Sequence, residues 1–310
     1  MKMKRRWWGL LYPFIGFALV FALLFYGPFE PFRLLWINTA VYSSHYKFLA
    51  TALYPKAYIE TVLQQNAPLV EQATNDAVLN TAYYGFSYKD TITFVELKGN
   101  YFRGCLIKIA DPRRLFFAVS DDAHGLLLEQ LVARHSGLGG INASGYISDT
   151  TRGLAWGTVV MDGAFMNRCD SGEKHTMGGF NAGHKLVVGH FTDTETAAQG
   201  YRWAFEFGPL LIVNGDKTEL TVYSGGFAPR SAIGQTSDGS VLLVTVDGRQ
   251  PRSIGATYRD MQTILYANGA INAIGLDGGS STTMVYQSRL VNKPSDGERE
   301  RLLPNGIIFK

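Results

Sequence analysis

Hydrophobic and polar positions fall into three patterns along the chain, and each predicts different elements. From Trp7 to Tyr26 the run WWGLLYPFIGFALVFALLFY contains no charged side chain. At about 1.5 Å per residue a helix of this length crosses a hydrocarbon core of roughly 30 Å, so the run predicts a membrane span. It is longer than a signal-peptide core of about 7 to 15 residues and no A-x-A site follows, which predicts an uncleaved anchor. GPFEPF then interrupts the helix, and FRLLWINTAVYSSHYKFLATALY is apolar with Arg33, Asn38, His45 and Lys47 scattered through it, as in an interfacial or amphipathic helix. IETVLQQN and LVEQATNDAVLN follow as short helices.

Beyond residue 91 the period changes. TITFVELKGNYFRGCLIKIADPRRLFFAV alternates apolar and polar positions around turn signals, as two or three strands do. DDAHGLLLEQLVARHSG has helical spacing with Asp121 or Asp122 as N-cap, and LGGINASGYISD reads as a short strand ending at Asn142, Ser144 and Gly145. WGTVVMDGAF and HKLVVGHF predict strands, TDTETAAQGYRWAFEF a capped helix, and GPLLIVNGD a strand and turn. Arg230 enters a strand; VLLVTV is a strand buried on both faces and ends in Asp247-Gly248-Arg249. GATYRDMQTILYANG is a helix, and AINAIGL is a strand ending at Asp277, Gly278 and Gly279, with Ser280, Ser281, Thr282 and Thr283 after it. If the strands ending at Asp247 and Asp277 are parallel neighbours joined by that helix, both carboxylates lie on one sheet edge, where open sheets bind ligands.

The expected organisation is a basic tip and transmembrane anchor over residues 1–26, a membrane-proximal helical stalk over 27–91, and an α+β domain with a mixed sheet and flanking helices over 92–310. The 34 glycines fit many turns, and 46% hydrophobic residues supply a core. Charge adds an orientation and an exclusion. Lys2, Lys4, Arg5 and Arg6 precede the span and only Arg33 follows closely, which sets the N-terminus in the cytoplasm and the rest outside. Without those four, 25 cations face 26 acids, so no general basic surface for nucleic acid remains. Cys105 and Cys169 either pair or are buried small apolar groups, and the six histidines show no HExxH spacing. The cluster Gly137, Gly139 and Gly140 fails the dinucleotide pattern because Asn142 stands where its third glycine would be.

The chemistry-bearing residues are therefore Asp247, Asp277, Arg230 and Arg249. Arginine forks match phosphate or carboxylate oxygens, and carboxylates beside them suit a substrate both anionic and electrophilic. The alternatives are local: Asp277 capping its own turn, or Asp247 and Arg249 pairing at a surface.

The blocks INASGY, PRSAIGQTSDGSVLLVTVDGR, GATYRDMQTILYANGAINAIGLDGGSSTTM and VNKPSDGERERLLPNGIIF together resemble the phosphodiester glycosidase family, over roughly residues 92–310. Asn142 and Gly145 match its Gly-rich-turn block, Arg230 its PR-(S/T)-A-(I/V)-G block, and Asp247, Gly248 and Arg249 its VDGR. Asp277, Gly278 and Gly279 match LDGG, and Asn292, Ser295, Asp296 and Arg301 match the tail block. Gly275 replaces a common asparagine and Ser280 a frequent third glycine, changes that bear on substrate identity.

The resemblance implies a hydrolase of sugar-1-phosphodiester linkages in surface or exopolysaccharide glycans. The leaving group is already an acidic phosphate ester, so cleavage needs phosphate binding and a carboxylate near the anomeric carbon more than general-acid help. On this reading Arg230 and Arg249 hold phosphate, Asp277 is nucleophile or base, Asp247 supports it, and Asn142 and Ser280 meet sugar hydroxyls. Gly145, Gly278, Gly279 and Asn292 complete the substrate site, while Asp296 and Arg301 form a structural pair. No cofactor is required, and a divalent cation between Asp247 and Asp277 is left open. A non-catalytic glycan-binding or assembly factor on the same fold is the alternative, and a transferase is a third reading.

Overall fold

The computed structural model describes residues 4–41, 46–64, 89–149, 152–168, 172–220, 224–295 and 300–310. The chain divides into two compact units, residues 1–67 with 223–226 and residues 68–222 with 227–310. The first unit is helical: α1 (Lys4–Tyr26), α2 (Glu30–Val41), α3 (Lys47–Thr51) and α4 (Lys56–Gln64). Phe25 meets Phe32 and Trp36 edge-on at 5.2 and 5.0 Å, and Ile37 and Ala50 are fully buried beside it. Phe14, Phe17 and Leu19 on α1 are 77%, 71% and 60% exposed. No single helix among the described residues is long and apolar enough to cross a membrane; Tyr12–Tyr26 and Glu30–Val41, bent by 81°, reach that length and composition only as a pair. The helix expected over LVEQATNDAVLN, together with Cys169 and Asp296, lies outside the described residues.

The second unit is α+β, and every strand ladder among its described residues is antiparallel. A seven-stranded sheet runs in the order β1 (Ile92–Lys98), β2 (Arg103–Ile109), β15 (Val241–Val246), β14 (Arg230–Thr236), β16 (Ala270–Leu276), β12 (Leu210–Val213), β13 (Asp216–Lys217). A five-stranded sheet has the order β10 (Leu186–Phe191), β9 (His175–Asn181), β11 (Tyr201–Glu206), β7 (Val159–Met161), β8 (Ala164–Asn167). Another is ordered β18 (Arg289–Leu290), β17 (Met284–Tyr286), β4 (Gly139–Asn142), β19 (Asn305–Phe309), β3 (Leu115–Val119). β5 (Tyr146–Asp149) and β6 (Arg152–Ala155) form a separate hairpin.

The mixed sheet expected from the sequence is thus corrected. β15 and β16 share a direction, as the helix between them requires, but β14 lies between them and pairs antiparallel with both. Two helices are also shorter than their sequence patterns. α5 (Leu128–Arg134) starts beyond Asp121 and Asp122, because Gly125 turns the chain at φ +87° and Leu126 bridges Leu303 in extended form. α6 (Asp193–Ala198), capped by Thr192 and Glu195, stops before Gly200 at φ +64°, and YRWAFE becomes β11 with Arg202 exposed. α7 (Tyr258–Ala267) forms as expected, with Thr257 and Asp260 as a capping box.

The three larger sheets share one core. Ile107 and Ile274 of the first sheet, Phe205 of the second, and Phe117, Ile141 and Phe309 of the third are all buried in it. Each such side chain contributes about 1.5–3 kcal/mol relative to exposure. α7 covers the other face of the seven-stranded sheet, setting Met261 and Leu265 against Ala232 and Val244. β14, β15 and β16 are therefore covered on both faces, which explains the weak alternation of VLLVTV and makes their ends the place where polar groups emerge.

Candidate active site

The antiparallel order brings four predicted residues to one sheet edge. Arg230 opens β14 opposite Val246, and Ser231 lies opposite Leu276, so Asp247 and Asp277 leave the sheet on either side of Arg230. Arg230 is 4% exposed; its guanidinium lies 3.9 Å above the Tyr258 ring, and its Nε donates to the Ala256 carbonyl at 3.2 Å. Burying a guanidinium is costly unless it is stacked and hydrogen-bonded. α7, through Tyr258, thus holds an arginine at the site.

Asp277 is fixed through its backbone. Its N–H donates to the Ala143 carbonyl at 3.0 Å, and its carbonyl accepts the Asn142 side-chain amide at 2.6 Å. Burial pushes its carboxyl up to about 6, opposed by the Ser281 hydroxyl, the Arg301 charge, the Gly278 N–H and the Arg230 charge. Burial likewise raises Asp247, against the Lys293 N–H, which reaches Oδ1 at 2.8 Å, the Asn292 amide and the Lys293 charge.

The glycine pair supplies close approach. A Cβ at Gly278 would stand 2.8 Å from the Pro229 carbonyl and 3.8 Å from an Arg230 terminal nitrogen. Gly279 sits at φ +62°, and a Cβ there would be 3.3 Å from an Arg249 terminal nitrogen. Arg249 itself has φ +59°, an uncommon conformation for a non-glycine residue and one that recurs at functional sites. The two guanidiniums therefore flank the turn that follows Asp277.

Three of the other predicted residues hold the scaffold or shape a wall. Asn142 is 1% exposed, and its Oδ1 accepts from the Ser231 hydroxyl at 2.7 Å and the Thr283 N–H at 3.1 Å, joining β4, β14 and the turn after Asp277. Asn292 accepts from the Met284 N–H at 2.7 Å and donates to the Thr282 carbonyl at 3.0 Å. Gly145 makes room for Trp156, whose Cβ and ring edge would stand 3.2 Å from a Cβ there. The hydroxyl series folds inward: Ser280 is 7% exposed, and Ser281, Thr282 and Thr283 are 1% or less, because Gly279–Ser281 forms a 3-10 turn instead of an extended strand. At Gly275 a side chain would meet the Gly208 carbonyl at 2.8 Å and Tyr258 at 3.3 Å, so the missing asparagine leaves space that this chain has closed.

Some site residues escape the sequence patterns. Tyr258 lies unmarked in an ordinary helix, and Ser281 is hidden among similar hydroxyls. Arg301 stacks its guanidinium 4.1 Å above Tyr146 and acts electrostatically on Asp277. Cys105 is a buried free thiol, pushed up to about 12 by burial and bonded to Thr245. Among the described residues no three His, Cys, Asp or Glu side chains group as metal ligands.

On this α+β scaffold the half-buried Asp277 stands at a sheet edge, with the charges of Arg230 and Arg301 acting on it and Arg249 beside the turn that follows, a chemistry suited to an anionic ligand. The chain matches the phosphodiester glycosidase family over residues 136–310 and belongs to that family. It is 31% identical over 199 residues to the uncharacterized SPbeta prophage-derived protein YomE of Bacillus subtilis, covering 61% of this chain and 30% of that protein. It is 26% identical over 229 residues to N-acetylglucosamine-1-phosphodiester alpha-N-acetylglucosaminidase of Mus musculus, covering 66% of this chain and 44% of the enzyme. The chain thus spans less than half the length of these relatives. Its fold resembles the zebrafish catalytic domain of the latter enzyme, auto-inhibited by its pro-peptide, with a TM-score of 0.59 at 18% identity over 78% of this chain and 96% of that one. A putative exported protein of Burkholderia pseudomallei K96243 is similar with a TM-score of 0.52 at 16% identity, over 67% of this chain and 74% of that one.

Proposed function

We propose that this chain hydrolyses sugar-1-phosphodiesters in surface glycans, with Asp277 acting at the anomeric carbon. The observation that carries the reading is Asp277 at the end of β16, its backbone held by Ala143 and Asn142 and its carboxyl under the charges of Arg230 and Arg301. The guanidiniums neutralise the departing phosphate, and a leaving group of that acidity needs little proton donation. Asp277 serves as nucleophile or base, with Asp247 as the second carboxylate. Asn142 keeps the turn in place, since its amide is spent on backbone and hydroxyl groups, and Asn292 joins the backbone of Met284 and Thr282 to the Asp247 carboxyl. The names of the mammalian relatives make N-acetylglucosamine the first sugar to test.

The apolar side chains exposed on α1 and the bent α1–α2 pair support attachment to a membrane, with the basic tip cytoplasmic and the second unit outside. Purified chain is expected to release free N-acetylglucosamine from the methyl phosphodiester of N-acetylglucosamine 1-phosphate. The Asp277→Asn variant, unchanged by circular dichroism, is expected to lose at least ~1,000-fold of that rate, as when one member of a catalytic set is removed. A folded variant that keeps wild-type turnover would remove Asp277 from the reaction.

A further inference from the structure

The arginines around Asp277 are not equivalent. Arg230 is 4% exposed, lies over Tyr258 and has given its Nε–H to the Ala256 carbonyl. Arg249 has a backbone φ of +59°, and its terminal nitrogens lie beside the Gly279 turn. Arg301 keeps part of its surface open; among the described residues its guanidinium makes no hydrogen bond or ion pair and stacks over the Tyr146 ring, 4.1 Å below. Stacking leaves the rim of a guanidinium, where all its N–H donors lie, available for a planar pair of oxygens.

The placement of that rim follows from the backbone. Tyr146 begins the β5–β6 hairpin, four residues after Asn142, whose amide holds the Asp277 carbonyl, and three after Ala143, whose carbonyl holds the Asp277 N–H. Ser144 is fixed in turn by Asn305, which accepts from its N–H and hydroxyl, each at 3.0 Å. A single pinned segment therefore joins the Arg301 platform to the Asp277 backbone. The Arg301 charge also acts more strongly on the Asp277 carboxyl than that of Arg230 does.

We propose that Arg301, laid flat on Tyr146, is the substrate-binding guanidinium that receives the non-bridging oxygens of the phosphodiester, and that Tyr146 is its positioning residue. This inference rests on the phosphodiester reading above and replaces the structural pairing expected of Arg301 from sequence. Arg230 and Arg249 then shape and neutralise the floor of the site, while Arg301 takes the ligand directly.

The test uses the full chain in two arms. In the first, kcat/KM on the methyl phosphodiester of N-acetylglucosamine 1-phosphate is expected to fall roughly ten- to hundredfold in Arg301→Gln, mostly through KM. Arg301→Lys recovers part of the loss, because a point charge cannot fork. Tyr146→Leu falls severalfold, and Tyr146→Phe, which keeps a ring face under the guanidinium, recovers most of that loss. In the second arm, binding of N-acetylglucosamine 1-phosphate and of neutral N-acetylglucosamine is measured by calorimetry in an Asp277→Asn background, where turnover is absent. Arg301→Gln is expected to weaken the phosphate ligand roughly ten- to hundredfold and leave the neutral sugar unchanged. Unchanged phosphate binding, absence of phosphate binding in the parent, or equal loss for both ligands would overturn the role of Arg301; an unaffected Tyr146→Leu would overturn that of Tyr146. If the wild type turns over nothing but the second arm behaves as expected, the hydrolase reading fails and Arg301 stands.

Discussion

At the scale of single residues, the site depends on how Asp277 is charged. Its carboxyl, ordinarily near 3.8, is raised to about 6 because burial outweighs Ser281, Arg301, the Gly278 N–H and Arg230. A nucleophile or base must be ionised, so kcat/KM is expected to rise with pH through an inflection near 6 and to level off above it. Arg301→Gln removes a positive charge that favours the ionised form, so the inflection is expected to move upward, whatever the loss at the plateau. A profile with its midpoint near the ordinary carboxylate value, unmoved by the substitution, would show that Asp277 does not govern the rate.

At the scale of elements, the site is where β4, β14 and β16 end together, and Asn142 fastens them. Its side chain joins the Ser231 hydroxyl, the Thr283 N–H and the Asp277 carbonyl. Asn142→Ala strands three buried polar groups, so a loss of roughly 1–3 kcal/mol is expected in urea unfolding of the second unit; an unchanged midpoint would contradict the fastening role. Much of this was legible in the sequence. The run GATYRDMQTILYANG announces α7, the strand ends at Asp247 and Asp277 follow from buried runs closed by Asp-Gly, and Arg230 from its place before one. What lay hidden depends on strands far apart in sequence. Nothing local says that β14 inserts between β15 and β16, that Tyr258 lies beneath Arg230, or that Arg301 rests on Tyr146. The two overlong helix readings failed where Gly125 and Gly200 take positive φ. Helical spacing beside them continued into segments that a sheet ladder claims.

At the scale of the whole molecule, the second unit carries carboxyls that resist ionisation. Glu300, beside Arg301, is raised from 4.5 to about 7 by burial and by Glu129, although the Glu129 N–H favours its charge. A carboxyl whose folded value is raised binds its proton more tightly in the folded state, so stability is greatest while it is protonated and declines as pH climbs from 4.5 toward 7. Asp277 acts in the same direction between 3.8 and about 6. Glu300→Gln is therefore expected to lose less stability than wild type between about pH 5 and about pH 8 in denaturant titrations. A steeper decline in the variant would reverse that sign. The central claim concerns which bond breaks, because the same arginines would also serve a phosphodiesterase attacking phosphorus. Hydrolysis of the methyl phosphodiester of N-acetylglucosamine 1-phosphate in water carrying the heavy oxygen isotope separates the two. Attack at the anomeric carbon directed by Asp277 predicts the label in the released sugar and none in the methyl phosphate. Label in the phosphate product would contradict the glycosidase account.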